Sequence, residues 1–291
     1  MPSNIAFLFP GQGRVPDALP PNIHCASSLL SLARDAGLLL EDWIAARNDS
    51  RLAQTDASQP LLLIDSLCKE AQLREAGYSP SCVAGHSLGE YAALVSAGAL
   101  SAADAMRAVI ERGRLMNEVR GAMAAILKLE LDAVSNLCAG TEAVVANHNA
   151  PTQIVISGPP DAVQQVLARA EKVGGKGIPL SVSGPFHSPL MLPAQMALAP
   201  LLQALDLGTP DMHFISSVSG KAVTEVEALK ELLVVQMTAS VRWVDVTREL
   251  DRLEVDTAIE VGSGDVLTRL GRRSDSSIRF LTFEEAIHEE I

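Results

Sequence analysis

The sequence predicts an α/β architecture built on a mostly parallel sheet, and three observations carry that prediction. The apolar run Ile5–Phe9 has the length of a buried strand and stops at a turn rich in glycine and proline. A serine between two glycines, Gly85-His86-Ser87-Leu88-Gly89, joins an apolar strand end to a helix. Residues 121–182 read as strand, helix, two strands, helix, strand. Composition agrees: 48% of the 291 residues are hydrophobic but only 3% are aromatic, so Leu, Val, Ile and Ala must fill the core, as suits a sheet covered by Ala-rich helices.

Ile5–Phe9 is followed by Pro10-Gly11-Gln12-Gly13, whose glycines let the backbone approach a ligand or another loop closely. Residues 14–55 are polar and interrupted by prolines, with a helical stretch at Ser27–Ala36. Pro60, preceded by Ser58 and Gln59 as candidate caps, opens a buried helix running through Leu73 toward a strand at Ser81–Ala84. Helices follow at Glu90–Ala97 and Ala102–Val119, the second entered at Ser101 with Asp104 in its first turn. Strands are then expected at Gly121–Leu129, Ala143–Ala146, Gln153–Ser157 and Gly177–Val182, with helices at Leu131–Cys138 and Pro160–Val173. That order is the split βαβ of a ferredoxin-like α+β subdomain, residues 121–188, ending in a turn-rich loop at His187. It is inserted into a large α/β-hydrolase-like domain, residues 1–120 and 189–291. The large domain resumes near Pro189 with a helix, a strand at His213–Ser217, a helix around Val226–Met237 and a strand at Thr257–Val261.

The formal net charge of −12 argues against binding nucleic acid through the overall field. Arg269-Leu270-Gly271-Arg272-Arg273 is one compact cationic cluster, read either as a solvated helix end or as a partner site. Cys25, Cys68, Cys82 and Cys138 lie far apart without a C-x-x-C pair, so neither a zinc site nor a disulfide framework is suggested. The N-terminus shows no basic region leading into a long apolar stretch; a cytoplasmic protein without membrane attachment is expected.

The tight strand-to-helix turn would lift the Ser87 hydroxyl clear of the sheet and aim the Leu88 amide, at a helix N-terminus, toward an oxyanion formed there. The bland alternative is a glycine-flanked serine capping a helix. A nucleophilic serine needs a base, and among six histidines His187 stands out within Gly184-Pro185-Phe186-His187-Ser188-Pro189. A lone histidine can equally be a satisfied core residue. His86 points away from the serine if residues alternate at the strand end, and reads as a structural hydrogen bond under the turn. Arg112 falls late in an otherwise apolar helix; it would either pair with Glu111 or another acid, or hold a substrate carboxylate with two hydrogen bonds.

Several of these motifs, in this order, resemble the malonyl-CoA:acyl-carrier-protein transacylases of fatty acid and polyketide synthesis, over nearly the whole chain. They are Phe9-Pro10-Gly11-Gln12-Gly13, Gly85-His86-Ser87-Leu88-Gly89-Glu90-Tyr91, Glu111-Arg112-Gly113, Asn147–Pro151 with Gln153–Gly158, Gly184–Ser188, and Glu260-Val261-Gly262-Ser263-Gly264. The resemblance implies that Ser87 carries a malonyl ester and His187 acts as its base. It also implies that Leu88 and Gln12 donate backbone amides to the oxyanion, and that Arg112 binds the malonyl carboxylate. Gln236 then orients His187 through its backbone carbonyl, and Phe186 marks the malonyl rather than methylmalonyl type. Malonyl-CoA and CoA are substrate and product, no cofactor or metal is required, an acyl carrier protein is the partner, and a monomer is expected.

The pattern departs at Arg14-Val15-Pro16, where the family has Ser-Gln and then a Met-Gly step, and at Ser263, where it has proline. Alternative settings are a stand-alone acyltransferase of a polyketide synthase or the malonyl-transfer subunit of a malonate decarboxylase. Alternative classes are a serine hydrolase and a catalytically silent interaction protein.

Overall fold

A computed structural model describes residues 4–13, 16, 26–182 and 184–289. The chain begins with β1 (Ile5–Phe9), α1 (Ser27–Asp35), α2 (Leu40–Ala45), α3 (Asp49–Leu52), α4 (Thr55–Glu75), β2 (Cys82–Gly85), α5 (Gly89–Ser96) and α6 (Ala102–Asn117). It continues with β3 (Ala122–Leu127), α7 (Leu131–Cys138), β4 (Val144–Ala150), β5 (Gln153–Gly158), α8 (Pro160–Lys172) and β6 (Lys176–Pro179). The last part holds α9 (Leu192–Gln203), β7 (His213–Ser216), β8 (Lys221–Val223), α10 (Val226–Val235), α11 (Trp243–Arg252), β9 (Thr257–Glu260), α12 (Val266–Gly271), β10 (Arg279–Thr282) and α13 (Phe283–Ile287).

Six strands form the large sheet in the order β10-β9-β1-β2-β7-β8, parallel except for the β7–β8 hairpin. Alternation along β1 shows why both faces are apolar. Ile5, Phe7 and Phe9 pack with the helical layer of α4, α5 and α6, while Ala6 and Leu8 pack on the opposite face with Val246, Leu250, Leu267 and Leu270. The second sheet, β4-β5-β3-β6, is antiparallel throughout. Ala124, Ile126, Ile154 and Ile156 face Val134 of α7 and Val163 and Val166 of α8, closing a separate small core. Met123, Ala125 and Val155, on the other face, join the main core. This is the ferredoxin-like order, and each half is a split βαβ as the sequence pattern indicates. The His148 amide donates to Val241 O (2.8 Å) and the Val241 amide to Ala146 O (2.9 Å), tying β4 to the large unit.

The helix expected to open at Pro60 opens five residues earlier, at Thr55. Proline lacks the amide that an interior helix position needs, but contacts from outside hold the extra turn. The Arg51 guanidinium grips Asp56 with two bonds of 2.8 and 2.9 Å, and Gly113 lets α6 lie directly against that turn, since a Cβ there would stand 2.9 Å from Asp56 Cα. The strand expected over Gly177–Val182 runs only over Lys176–Pro179 on an exposed edge. Cys68, Cys82 and Cys138 are buried; Cys25, His24 and the departures at Arg14 and Val15 lie outside the described residues. Among the described residues no helix is long and apolar enough to cross a membrane.

Candidate active site

Parallel register decides where the site lies. Phe9 pairs with Gly85 and Leu8 with Glu260, so the turns following β1, β2 and β9 meet at one carboxyl edge of the sheet, where open α/β sheets bind ligands. They line a cleft of about 170 Å³ that also includes Arg112, Met116, Met123, Phe186 and His187.

Two glycines permit the turn at Ser87. A Cβ on Gly85 would lie 2.1 Å from Glu90 N, and one on Gly89 would lie 2.0 Å from Phe9 O, so no side chain fits at either position. Ser87 itself takes φ +52°, a left-handed conformation that costs of order 1–3 kcal/mol for such a residue and is held only by its surroundings. His187 has φ +57°, in a loop closed by the Ser188 hydroxyl donating to Pro185 O (2.6 Å) and by the His187 amide donating to Met237 O (3.1 Å).

His187 Nε2 lies 2.8 Å from Ser87 Oγ. Its Nδ1 lies 3.0 Å from Gln236 O and 2.9 Å from Ala239 O. Carbonyls only accept, so Nδ1 carries the hydrogen and Nε2 presents a lone pair to the serine hydroxyl. Burial and the neighbouring Arg112 cation push the imidazole down to about 3, which keeps it neutral at neutral pH.

Arg112 is 1% exposed. Its Nη1 donates to Gln59 Oε1 (2.8 Å), and its Nη2 to Ser87 Oγ (3.0 Å) and Gln236 Oε1 (3.1 Å). The Nε–H is buried with no hydrogen-bond partner among the described residues. Glu111 pairs with Arg114 instead, at 2.7 and 2.9 Å, which removes the sequence alternative of an Arg112–Glu111 pair. A buried guanidinium bonded directly to amide carbonyls and a hydroxyl is a cation without a bonded counter-ion beside Ser87, and such a charge favours an anionic group in the cleft.

A family model described as an acyl transferase domain matches residues 26–281. A malonyl CoA-acyl carrier protein transacylase of Bacillus subtilis (strain 168) is 38% identical over 97% of this chain and 94% of its own. This chain belongs to the acyl transferase family. Among solved structures, an acyl-carrier-protein S-malonyltransferase from Burkholderia pseudomallei 1710b is 34% identical, with a TM-score of 0.90 over 98% of this chain and 100% of its own. A type II polyketide synthase acyl-carrier protein in complex with its malonyl-transacylase supplies another match, 31% identical, with a TM-score of 0.87 over 96% of each chain.

The cleft is lined by Ser87, His187, Arg112, Gln12, Leu88 and Phe186, with Gln236 buried behind it. Gln12 and Leu88 line it beside Ser87, and Phe186 packs its ring over Gly184, where a Cβ would stand 2.4 Å from the ring. Gln236 contributes more than a backbone carbonyl, because its side chain bridges Arg112, Ser87 O and Glu90. His86 accepts the structural reading: its Nε2 lies 2.9 Å from Asn149 Oδ1 of β4, and its ring packs at 5.3 Å from Trp243. Gly11 lets the 10–13 turn rest on it, since a Cβ there would come within 2.7 Å of His86 O. Ser263, standing where the family has proline, accepts from Lys69 Nζ (2.9 Å), so a side-chain bond ties down that turn. In the Arg269–Arg273 cluster the arginines are exposed at a helix end, and two of them pair locally, Arg269 with Asp265 and Arg272 with Glu285.

Sequence reasoning missed Gln59 and Thr55. The Thr55 hydroxyl donates to Gln12 Oε1 (2.9 Å) and accepts from Gln59 Nε2 (2.9 Å), so a chain of polar groups runs from the Gln12 turn to Arg112. Their buried positions on an apolar helix are the available signal, since polar groups in such a place need partners.

Proposed function

We propose that the protein moves the malonyl group of malonyl-CoA to the phosphopantetheine thiol of an acyl carrier protein, through an ester on Ser87, to supply extender units for fatty acid synthesis. The observation that carries this reading is Arg112, a buried cation 3.0 Å from Ser87 Oγ whose direct hydrogen-bond partners are two amide carbonyls and that hydroxyl, with no carboxylate bonded to it.

Ser87 Oγ attacks the thioester carbonyl while His187 Nε2 takes the hydroxyl proton. The oxyanion accepts from the backbone amides of Leu88 and Gln12. The C–S bond then breaks, His187 returns the proton to the departing CoA sulfur, and malonate remains esterified to Ser87. In the second half the carrier thiol gives its proton to His187 and attacks the ester, and Ser87 Oγ leaves with that proton. The malonyl carboxylate takes two charge-assisted hydrogen bonds from Arg112, an interaction that acetyl cannot make. Carbonyls in place of an acid behind His187 avoid a second carboxylate near the malonyl one. The chemistry draws on no cofactor or metal, and we assign the protein to the cytoplasm as a monomer.

Incubation with malonyl-CoA should give a covalent malonyl mass increase on Ser87 that Ser87→Ala lacks; an unmodified wild-type protein would overturn the proposal. Release of the acyl group to water faster than to carrier protein would point to a hydrolase instead. Arg112→Ala should lose malonyl transfer while gaining relative activity with acetyl-CoA, and an unchanged acyl preference would remove Arg112 from its role.

A further inference from the structure

We propose that Glu90 is a positioning residue for acyl selectivity: its buried carboxylate fixes the orientation of the Gln236 side-chain amide, which in turn holds Arg112 in the attitude that receives an acyl carboxylate. The inference rests on the malonyl reading of Arg112 and adds to it the group that sets the arginine's geometry.

Glu90 is the second residue of α5 and is 1% exposed. One carboxylate oxygen accepts the Ser217 amide (2.5 Å) and the other accepts Gln236 Nε2. Both partners are donors, so the site is built for an acceptor at each oxygen. Burial raises the Glu90 carboxyl, and the bonds from Ser217 and Gln236 oppose that rise by favouring the ionised form.

Gln236 is fully buried, and its amide has one orientation that satisfies its neighbours. Nε2 faces two obligate acceptors, Ser87 O (3.0 Å) and Glu90, while Oε1 faces an obligate donor, Arg112 Nη2 (3.1 Å). Turning the amide over would set NH₂ against guanidinium and C=O against carboxylate. Glu90 acts together with Ser87 O to set which end of Gln236 meets Arg112, and the same amide ties the arginine to the backbone of Ser87. His187 is held by the Gln236 and Ala239 backbone carbonyls and by its own amide bond to Met237, so the base does not depend on this side-chain amide. The chain from Glu90 to Gln236 to Arg112 therefore acts on the acyl carboxylate more than on proton transfer.

Glu90→Gln tests this, because its amide must set an NH₂ against either the Ser217 amide or the Gln236 amide, whichever way it turns. Initial rates with malonyl-CoA and acetyl-CoA would be compared for wild type, Glu90→Gln, Glu90→Asp and Arg112→Ala. In Glu90→Gln, kcat/KM for malonyl should fall about ten- to hundredfold, mainly through KM, as expected for an opposed buried donor pair, while acetyl changes by less than about threefold. Glu90→Asp, which keeps two acceptor oxygens, should recover part of the malonyl preference. Equal losses with both substrates, or an unchanged ratio in Glu90→Gln, would overturn the inference. If Glu90→Gln does not fold, Gln236→Met carries the same test: it removes the amide bridge and keeps the backbone carbonyl, and an unchanged ratio there overturns the inference too. A wild type with no malonyl preference, or an Arg112→Ala that keeps it, would instead refute the carboxylate reading itself.

Discussion

His187 Nε2 approaches Ser87 Oγ to 2.8 Å from a loop a hundred residues away, and both residues hold left-handed backbone, at φ +57° and +52°. Two strained turns from different parts of the chain are pressed together, and the packing that does this also dries the imidazole. On the proposed function the neutral form is the base, and it exists above its pKa, which burial and Arg112 lower to about 3. Activity should therefore persist at pH 5 within about twofold of its value at pH 7, and an acid limb near 6.5 would count against His187 as the buried base.

The same shift couples to stability. An unfolded His187 binds its proton near 6.5 and the folded one near 3, so this residue contributes stability above pH 6.5 that is lost progressively as the pH falls toward 3. Urea midpoints measured between pH 7 and 4.5 should drop more for wild type than for His187→Gln, and equal drops would refute the coupling.

The residues proposed to carry the chemistry were legible because local sequence constrains them. Glycines must flank Ser87, turn residues surround His187, and Arg112 is a charge in an apolar helix. Gln59 and Glu90 were not, because their meaning comes from long-range contact: Gln59 meets Arg112 across 53 positions and Glu90 meets Gln236 across 146. Pro60 misled in the opposite way, since a local preference for helix starts was overridden by Gly113 and Arg51 packing against the turn before it. The helix α13 carried a readable signal, as Thr282 and Glu285 form a reciprocal capping box with both bonds in place. Neither α13 nor the amphipathic α11 was assigned from the sequence, although Trp243, Val246, Thr247 and Leu250 of α11 have helical spacing and fall on one buried face.

Phe186 sets the width of the cleft next to the base. It is 6% exposed, lines the cleft and packs its ring over Gly184, so on the proposed function the α-carbon of a bound malonyl group would meet aromatic bulk. Phe186→Ser should raise the ratio of methylmalonyl to malonyl transfer by about ten- to hundredfold, the range that a single methyl group commands in such a pocket. Competition between the two CoA esters for a limiting carrier protein measures this ratio directly, and a ratio unmoved by the substitution would place the methyl elsewhere.

Gln59 offers a test of why amides surround Arg112. Its Oε1 accepts Arg112 Nη1 at 2.8 Å, and its Nε2 is committed to Thr55 Oγ1 (2.9 Å), so the carbonyl end faces the guanidinium by necessity. Gln59→Glu changes little in size but converts a neutral acceptor into a carboxylate. That carboxylate would pair with Arg112 and compete with the acyl carboxylate for the same charge. Malonyl kcat/KM should fall about ten- to hundredfold through KM, while acetyl transfer should hold within about threefold. The substitution also removes the Nε2 donor to Thr55, so acetyl transfer rather than the denaturation midpoint distinguishes this from damage: it holds if only the arginine is engaged and falls together with malonyl transfer if the helix is disrupted. Malonyl capture at wild-type KM in a folded Gln59→Glu variant would mean that the guanidinium does not meet the acyl carboxylate, and neutral partners around it would lose their explanation.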